Sequence, residues 1–144
     1  MHPQLGRIML GLACASNGLF SLIDAFGTKH SRNLDWHEHA RFHNSMEMMF
    51  FAIAGGLCVW LILYHWHEAI VRKIVLVLAA GQWVAFLIAE FIIGPLLQID
   101  TFPTVDKSFF GIHDTALMVM GTLLFILIGY ALDRRNWQQA TTAS

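Results

Sequence analysis

Four long apolar runs constrain the fold of this chain more than any other feature. They cover roughly residues 5–26, 46–66, 69–97 and 109–132 of the 144-residue sequence. Each run reaches the length of about 20 residues that an α-helix needs to cross a bilayer. None of them alternates apolar and polar residues as a membrane β-strand does. The sequence therefore predicts an all-α fold, a four-helix transmembrane bundle, with residues 1–144 forming a single membrane domain.

Composition agrees with a membrane protein and excludes other classes. The chain is 56% hydrophobic and 13% charged, whereas an ordinary soluble domain has about 25% charged residues. The net charge is -1 and the basic residues are scattered along the chain. The sequence therefore lacks the basic stripe that binds phosphate backbones, and we expect no nucleic acid partner. Cys14 and Cys58 lie inside apolar runs without CxxC spacing, which predicts two small buried side chains.

The basic residues of the loops predict the orientation in the membrane. With four spans, both termini and the second loop share one side, which carries Arg7, Arg72, Lys73, Arg134 and Arg135. The other side carries Lys29, Arg32, Arg41 and Lys107. Basic residues favour the cytoplasmic side, so both termini are predicted to be cytoplasmic. Aromatic residues such as Trp66 are then expected to lie in the membrane interface as part of an aromatic belt.

A polar stretch from Asp35 to Glu47 precedes the second apolar run. On a helix, His39, His43 and Glu47 are spaced at i, i+4 and i+8, so they share one face. Asp35 followed three residues later by Glu38 matches a capping box, which predicts a structural role for these two acids.

Ionisable side chains recur inside the predicted spans, where burying each one costs at least a few kcal/mol. Because alternate helices run in opposite directions, these residues are expected in the same half of the bilayer, around a polar chamber on the side of the first and third loops. They are Asp24 in the first run, His39, His43 and Glu47 in the second, Glu90 in the third, and His113 and Asp114 in the fourth. Asn17 and Gln82 are expected nearer the middle of the membrane.

Three kinds of chemistry fit these residues. His43 could hold the iron of a haem while the opposite position stays open for a substrate. His39, His43, His113 and the carboxylates could instead bind non-haem iron or zinc. Without a metal, Glu90 and a histidine could transfer protons on a lipophilic substrate. A fourth alternative is electron transfer by a haem with two axial histidines, His43 and His113.

The segment Arg41-Phe-His43 at the start of the second span, in a four-span chain of this size, resembles the styrene oxide isomerase family. That family has a comparable Arg-Ala-His, and Gly81-Gln-Trp83 and Phe110-Gly111 are similar as well. The resemblance implies a homotrimer that holds haem b between subunits, with His43 as axial ligand. It also implies that ferric iron acts as a Lewis acid and opens an epoxide to an aldehyde.

Two further resemblances start from the same stretch. Residues 36–44 are similar to a motif in a family of small four-span proteins of unknown function. Arg41, Asn44 and Glu47 resemble the arginine, asparagine and glutamate set on the second helix of the membrane glutathione-transferase family. That likeness implies a membrane glutathione-transferase-like protein, the third alternative.

The leading hypothesis is a homo-oligomeric membrane enzyme that isomerises a small lipophilic substrate such as an epoxide. His43 is predicted to ligate haem b or another iron centre, with His39 and Arg41 also at the cofactor. Acid-base or positioning roles are predicted for Glu47, Glu90, His113 and Asp114. Membrane lipid and further copies of the chain are the other expected partners.

Overall fold

The computed structural model describes residues 4–27, 31–98 and 114–142, with side chains of the last helix described over residues 116–134. Over these residues it has four helices packed together: α1 (Leu5–Ala25), α2 (Glu38–Tyr64), α3 (Ala69–Leu97) and α4 (Asp114–Thr142). Each contains a segment that is long and apolar enough to span a membrane, in α4 the segment Ala116–Arg134. The predicted all-α four-helix membrane fold is confirmed. The predicted start of the fourth span, at residue 109, lies outside the described residues.

The four helices are arranged so that each packs mainly against two neighbours. α1 lies against α2 and α4, while α3 completes the bundle by contacting α2 and α4 and touches α1 at few points. Leu10, Cys14, Cys58, Val75 and Ile126 lie in the core between them. Both cysteines are buried, as predicted. The weak contact between α1 and α3 leaves space across the middle of the bundle.

Glycines allow α1 and α2 to approach each other closely. A Cβ at Gly55 would lie 2.7 Å from Gly18 Cα and 2.9 Å from the Cys14 carbonyl oxygen. A Cβ at the adjacent Gly56 would meet nothing within 4 Å. Small residues at a helix contact permit this approach in lipid, where close packing drives helix association. Gly55 therefore sets the separation of α1 and α2.

The start of α2 differs from the prediction. The helix begins at Glu38, and His37 is the N-cap residue, with its Nδ1 accepting a 3.3 Å hydrogen bond from the His39 backbone N–H. Asp35 lies before the helix, where its own N–H donates to Asn33 Oδ1 at 3.0 Å. The predicted capping box is therefore wrong, because the histidine ring takes the place of the aspartate. Glu38 still lies in the first turn, where the helix dipole favours a negative charge.

The turn between α2 and α3 is anchored to α4 by Trp66. Its indole Nε1 donates a buried 3.0 Å hydrogen bond to Asp133 Oδ1, and the Arg72 guanidinium donates to the Trp66 carbonyl at 3.2 Å. Trp66 is only 6% exposed, so its ring packs within the bundle, and its place at the membrane interface stays a prediction. The buried carboxylate of Asp133 draws the indole inward by offering its N–H an acceptor.

The same end of the bundle is closed by Arg7 of α1. Its Nη2 donates to the carbonyl of Ile62 at 2.6 Å and to that of Leu63 at 3.1 Å. These carbonyls belong to the last turn of α2, which lacks helical partners for its oxygens. A cation at this position also interacts favourably with the helix dipole. Arg7 therefore ties the first turn of α1 to the end of α2.

Candidate functional site

A cavity of about 530 Å³ lies between α1, α2 and α3. Its volume falls in the range of roughly 300–1,000 Å³ that is usual for small-molecule sites. Its walls are mainly apolar, with Phe20, Met48, Phe51 and Phe86 among them. The polar residues on its surface are Asn17, Ser21, Asp24, Glu47, Gln82 and Trp83. We call this space the acidic cavity, after the two carboxylates that border it.

The two carboxylates come from different helices. Asp24 lies in the last turn of α1 and is half-buried, and Glu47 lies in the third turn of α2. The first loop links the ends of these helices, since Asn44 Nδ2 donates to Ser31 Oγ at 2.8 Å and Ser31 Oγ donates to the Asp24 carbonyl at 3.3 Å. The structure thus brings Asp24 and Glu47 to one cavity, while the catalytic role of Glu47 stays a prediction.

Two amides connect α1 and α3 at the acidic cavity. Gln82 Nε2 donates a hydrogen bond to Asn17 Oδ1, and Asn17 is 6% exposed. Trp83 follows directly, and its buried indole Nε1 has no hydrogen-bond partner among the described residues. Neither the amide pair nor Trp83 was assigned a role from the sequence. The amide pair could have been found from the sequence, because Asn17 and Gln82 are polar residues in the middle of two spans, where a polar side chain needs a partner.

His39 and His43 lie outside the acidic cavity. Their Nε2 atoms are 3.0 Å apart and their rings meet edge to face, with centroids 4.4 Å apart. Both residues are exposed, and neither borders the cavity. Every four-residue step turns about 40° around the helix axis, so Glu47 is rotated by about 80° from His39. The structure brings the two histidines together, and of the three predicted residues on this face only Glu47 borders the cavity.

The histidine pair lies on the outer side of α2. The 3.0 Å between the two Nε2 atoms is the distance of a hydrogen bond between the rings. Exposed Phe42, Met46 and Phe50 on the same helix offer apolar surface near His43. Within the described ranges, no group of three or more His, Cys, Asp or Glu has metal-binding geometry. The binding of a metal or a haem by this pair stays a prediction.

Arg41, predicted at the cofactor, is half-buried beside this pair. Its Nη2 lies 3.9 Å from Glu38 Oε1, at the outer edge of an ion pair with an exposed carboxylate. Its Nε is buried and makes no hydrogen bond to the described part of the chain. The guanidinium thus keeps a donor that an anionic group could use.

Glu90 lies in an irregular part of α3. Residues Ala89–Ile93 form a π-helical segment, in which the Gly94 N–H bonds to the Ala89 carbonyl. Pro95 follows, and a proline lacks the N–H for a regular helical bond and crowds the preceding turn. Wide turns of this kind occur often at functional sites. Glu90 is half-buried and adjoins Ala89, which lines the acidic cavity.

The last two predicted catalytic residues fall where the structure gives no side chain. His113 lies outside the described residues, and Asp114 is the first residue of α4 with only its backbone described. Their roles stay predictions.

Comparison with protein families matches residues 9–143 to DUF6640, a family of unknown function. No curated protein matches the chain, and no solved structure does. These comparisons provide no link to styrene oxide isomerase. The match covers nearly the whole chain and confirms the predicted likeness to a family without an assigned function. The chain belongs to the DUF6640 family.

Proposed function

We propose that this protein is an integral membrane enzyme that isomerises a small lipophilic substrate bound in the acidic cavity. One observation carries the proposal: carboxyl groups from two helices, Asp24 and Glu47, border one largely apolar cavity of ligand size. Carboxylates are costly to place beside apolar walls within a membrane. Such residues in a ligand-sized space are expected to have a chemical task.

Two carboxyl groups are sufficient for an isomerisation, because substrate and product contain the same atoms. With an epoxide, one carboxylic acid donates a proton to the oxygen, and a carbon–oxygen bond breaks. A hydride then migrates to the electron-poor carbon, and the second carboxylate accepts the proton from the oxygen, which leaves a carbonyl. General acid-base catalysis of this type contributes about 10²–10⁴-fold to a rate.

The apolar part of the acidic cavity supports the same chemistry. Phe20, Phe51 and Phe86 border the space. Aromatic faces attract positive charge, by about 0.5–2 kcal/mol, so they suit the positive charge that develops on carbon when the ring opens. The apolar walls also limit water, which would otherwise capture that carbon and give a diol.

Orientation and assembly follow as parts of the proposal. With the termini and the turn at residues 65–68 in the cytoplasm, the acidic cavity lies toward the opposite side of the membrane. This places the cavity where a substrate dissolved in the bilayer can reach it from the non-cytoplasmic leaflet. We further propose a homo-oligomer, a trimer by the resemblance to styrene oxide isomerase, because the exposed His39–His43 pair needs a neighbour to complete a cofactor site.

That pair favours a second candidate, an isomerase with haem b held by His43. Bound there, the haem would supply a ferric Lewis acid for opening an epoxide. The His39 ring would orient the His43 ring, and the Arg41 guanidinium would pair with a propionate. A second copy of the chain would cover the outer face of α2.

The test is a screen for a product with the elemental composition of its precursor. Purified protein in detergent is incubated with a panel of lipophilic epoxides and with lipid extract from the source cells. The products are separated by chromatography, and their molecular masses are measured by mass spectrometry. We expect the wild type to convert at least one compound into an isomer and an Asp24→Asn/Glu47→Gln double variant to lose this conversion. The proposal would be contradicted if the wild type converted no compound. It would also be contradicted if the conversion that needs Asp24 and Glu47 gave a product of altered mass.

A further inference from the structure

A second cavity, of about 750 Å³, lies on the other side of α1, toward α4. Ser16, Ile23, Gly27, Met118 and Thr122 line it, and we call it the rear cavity. It shares lining residues with the acidic cavity, namely Asn17, Phe20, Asp24 and Trp83. The two cavities therefore adjoin at these four shared residues.

The packing of the helices explains why the cavities meet. α1 is held closely against α2, by Gly18 and Gly55, and it also packs on α4, while its contact with α3 is slight. A gap therefore runs between α1 and α3. The hydrogen bond from Gln82 to Asn17 spans this gap, and the acidic cavity opens on one side of it and the rear cavity on the other.

Trp83 occupies the junction and offers a hydrogen bond. Its ring borders both cavities, and its buried Nε1–H has no acceptor in the described part of the chain. Burying a donor without an acceptor is unfavourable. An oxygen on a bound molecule would satisfy it. Asp24 borders both cavities as well, so such an oxygen would lie near one of the two proposed catalytic groups.

We infer that the two cavities are chambers of one passage, and that its occupant is a single elongated lipophilic molecule with an oxygen in the interior of its chain. The oxygen, of a ketone, an ether or an epoxide, accepts the hydrogen bond of Trp83, and the apolar arms extend into the two chambers. This inference rests on the proposed function, for which it names the substrate class. A compact molecule would fill the acidic cavity alone.

The experiment uses photoreactive ketones with the protein in lipid nanodiscs. The long probe has its ketone in mid-chain and a diazirine at each end, and a matched hydrocarbon probe lacks the ketone. The long ketone is expected to label α2 at Met48 or Phe51 and α4 at Met118 or Thr122. Labelling confined to one of these helices would overturn the inference.

Trp83→Phe keeps the aromatic ring and removes the donor. We expect labelling by the ketone to fall about fivefold, the usual effect of one hydrogen bond, and labelling by the hydrocarbon to stay unchanged. If the hydrocarbon labels the wild-type cavities as strongly as the ketone, the passage holds an ordinary acyl chain of the bilayer and the inference is wrong. An equal fall for both probes would contradict the role of Trp83.

Met118→Trp fills the rear cavity, and Met120→Trp is its control, because Met120 lies on the same helix, is exposed and borders neither cavity. A short ketone probe is one compact enough to fit the acidic cavity alone. Met118→Trp should abolish labelling by the long ketone but not by the short ketone, and Met120→Trp should leave labelling by both probes unchanged. Unchanged labelling by the long ketone in Met118→Trp would overturn the inference.

These results are independent of turnover. A labelling pattern across both chambers without isomerisation would contradict the proposed function alone. Isomerisation with labelling in one chamber would contradict the passage alone.

Discussion

Asp133 and Trp66 test how much one buried hydrogen bond contributes at the end of the bundle formed by the turn between α2 and α3. Asp133 is 4% exposed, and its Oδ2 has no partner among the described residues, so the indole N–H is the bond that compensates its burial. Trp66→Phe would leave the carboxylate without this donor. We expect a loss of about 1–3 kcal/mol in the free energy of unfolding, measured by thermal unfolding in detergent.

The control for this prediction removes both partners. Replacing both polar groups by apolar ones costs less than leaving one of them buried alone. Trp66→Phe/Asp133→Leu should therefore be more stable than Trp66→Phe. Wild-type stability in Trp66→Phe would show that Asp133 obtains its stabilisation from another source.

Replacing His43 and replacing His39 are expected to have different effects on the binding of a haem. If His43 is the axial ligand, His43→Ala abolishes the Soret band of protein purified with haem supplied. His39→Ala removes only a hydrogen bond to the ligand, so it should weaken retention about 10–100-fold. The exposed His67, at the other end of α2, is the control. Equal and complete loss in both variants would indicate a metal site that needs both rings.

Sequence reasoning at the scale of single residues succeeded where spacing decided the contact. His39 and His43 meet because a separation of four residues places them on adjacent turns. It did not identify the partner of Trp66, nor the buried N–H of Trp83, which has no partner among the described residues. Both depend on helices that are distant in sequence. Asp133 lies one residue beyond the predicted fourth span, and the sequence analysis assigned it no role.

At the scale of elements, the closest contact is the one between α1 and α2. In Gly55→Ala the new methyl group would meet backbone atoms of Gly18 and Cys14 at 2.7 and 2.9 Å, which side-chain rotation cannot relieve. Overpacking of this kind costs about 1–3 kcal/mol, so the variant should unfold at a lower temperature. Gly56→Ala, the adjacent control, meets no atom and should gain up to about 1 kcal/mol from helix propensity. Equal effects of the two substitutions would contradict the close approach.

The helices themselves could be predicted because about 20 apolar residues in lipid have no stable alternative to a helix. Their details could not. The start of α2 depends on the His37 ring, which competes with the better-known capping residue Asp35. The π-helical turn at Ala89–Ile93 precedes Pro95 in α3. It could not be predicted, because a proline in a helix can equally produce a kink or end the helix.

At the scale of the whole molecule, helix direction was sufficient to predict that Asp24 and Glu47 belong to one half of the bundle. The rotation of each helix was not predictable, because every helix has several apolar faces that lipid accepts. For this reason Glu47 borders the acidic cavity whereas His43, four residues earlier, lies on the outside. The gap between α1 and α3, which creates both cavities, is a product of packing among all four helices.

The central claim is that a carboxylate in the acidic cavity performs the chemistry, and Glu47 and Glu38 form a matched pair for testing it. Both lie on α2 and both are exposed, but Glu47 borders the cavity and Glu38 does not. The measurement is the isomerisation rate, with bound substrate quantified on the same preparation. Glu47→Gln should lower the rate by about 10²-fold or more while substrate still binds, and Glu38→Gln should leave it unchanged. Equal rates in Glu47→Gln and Glu38→Gln would contradict the account.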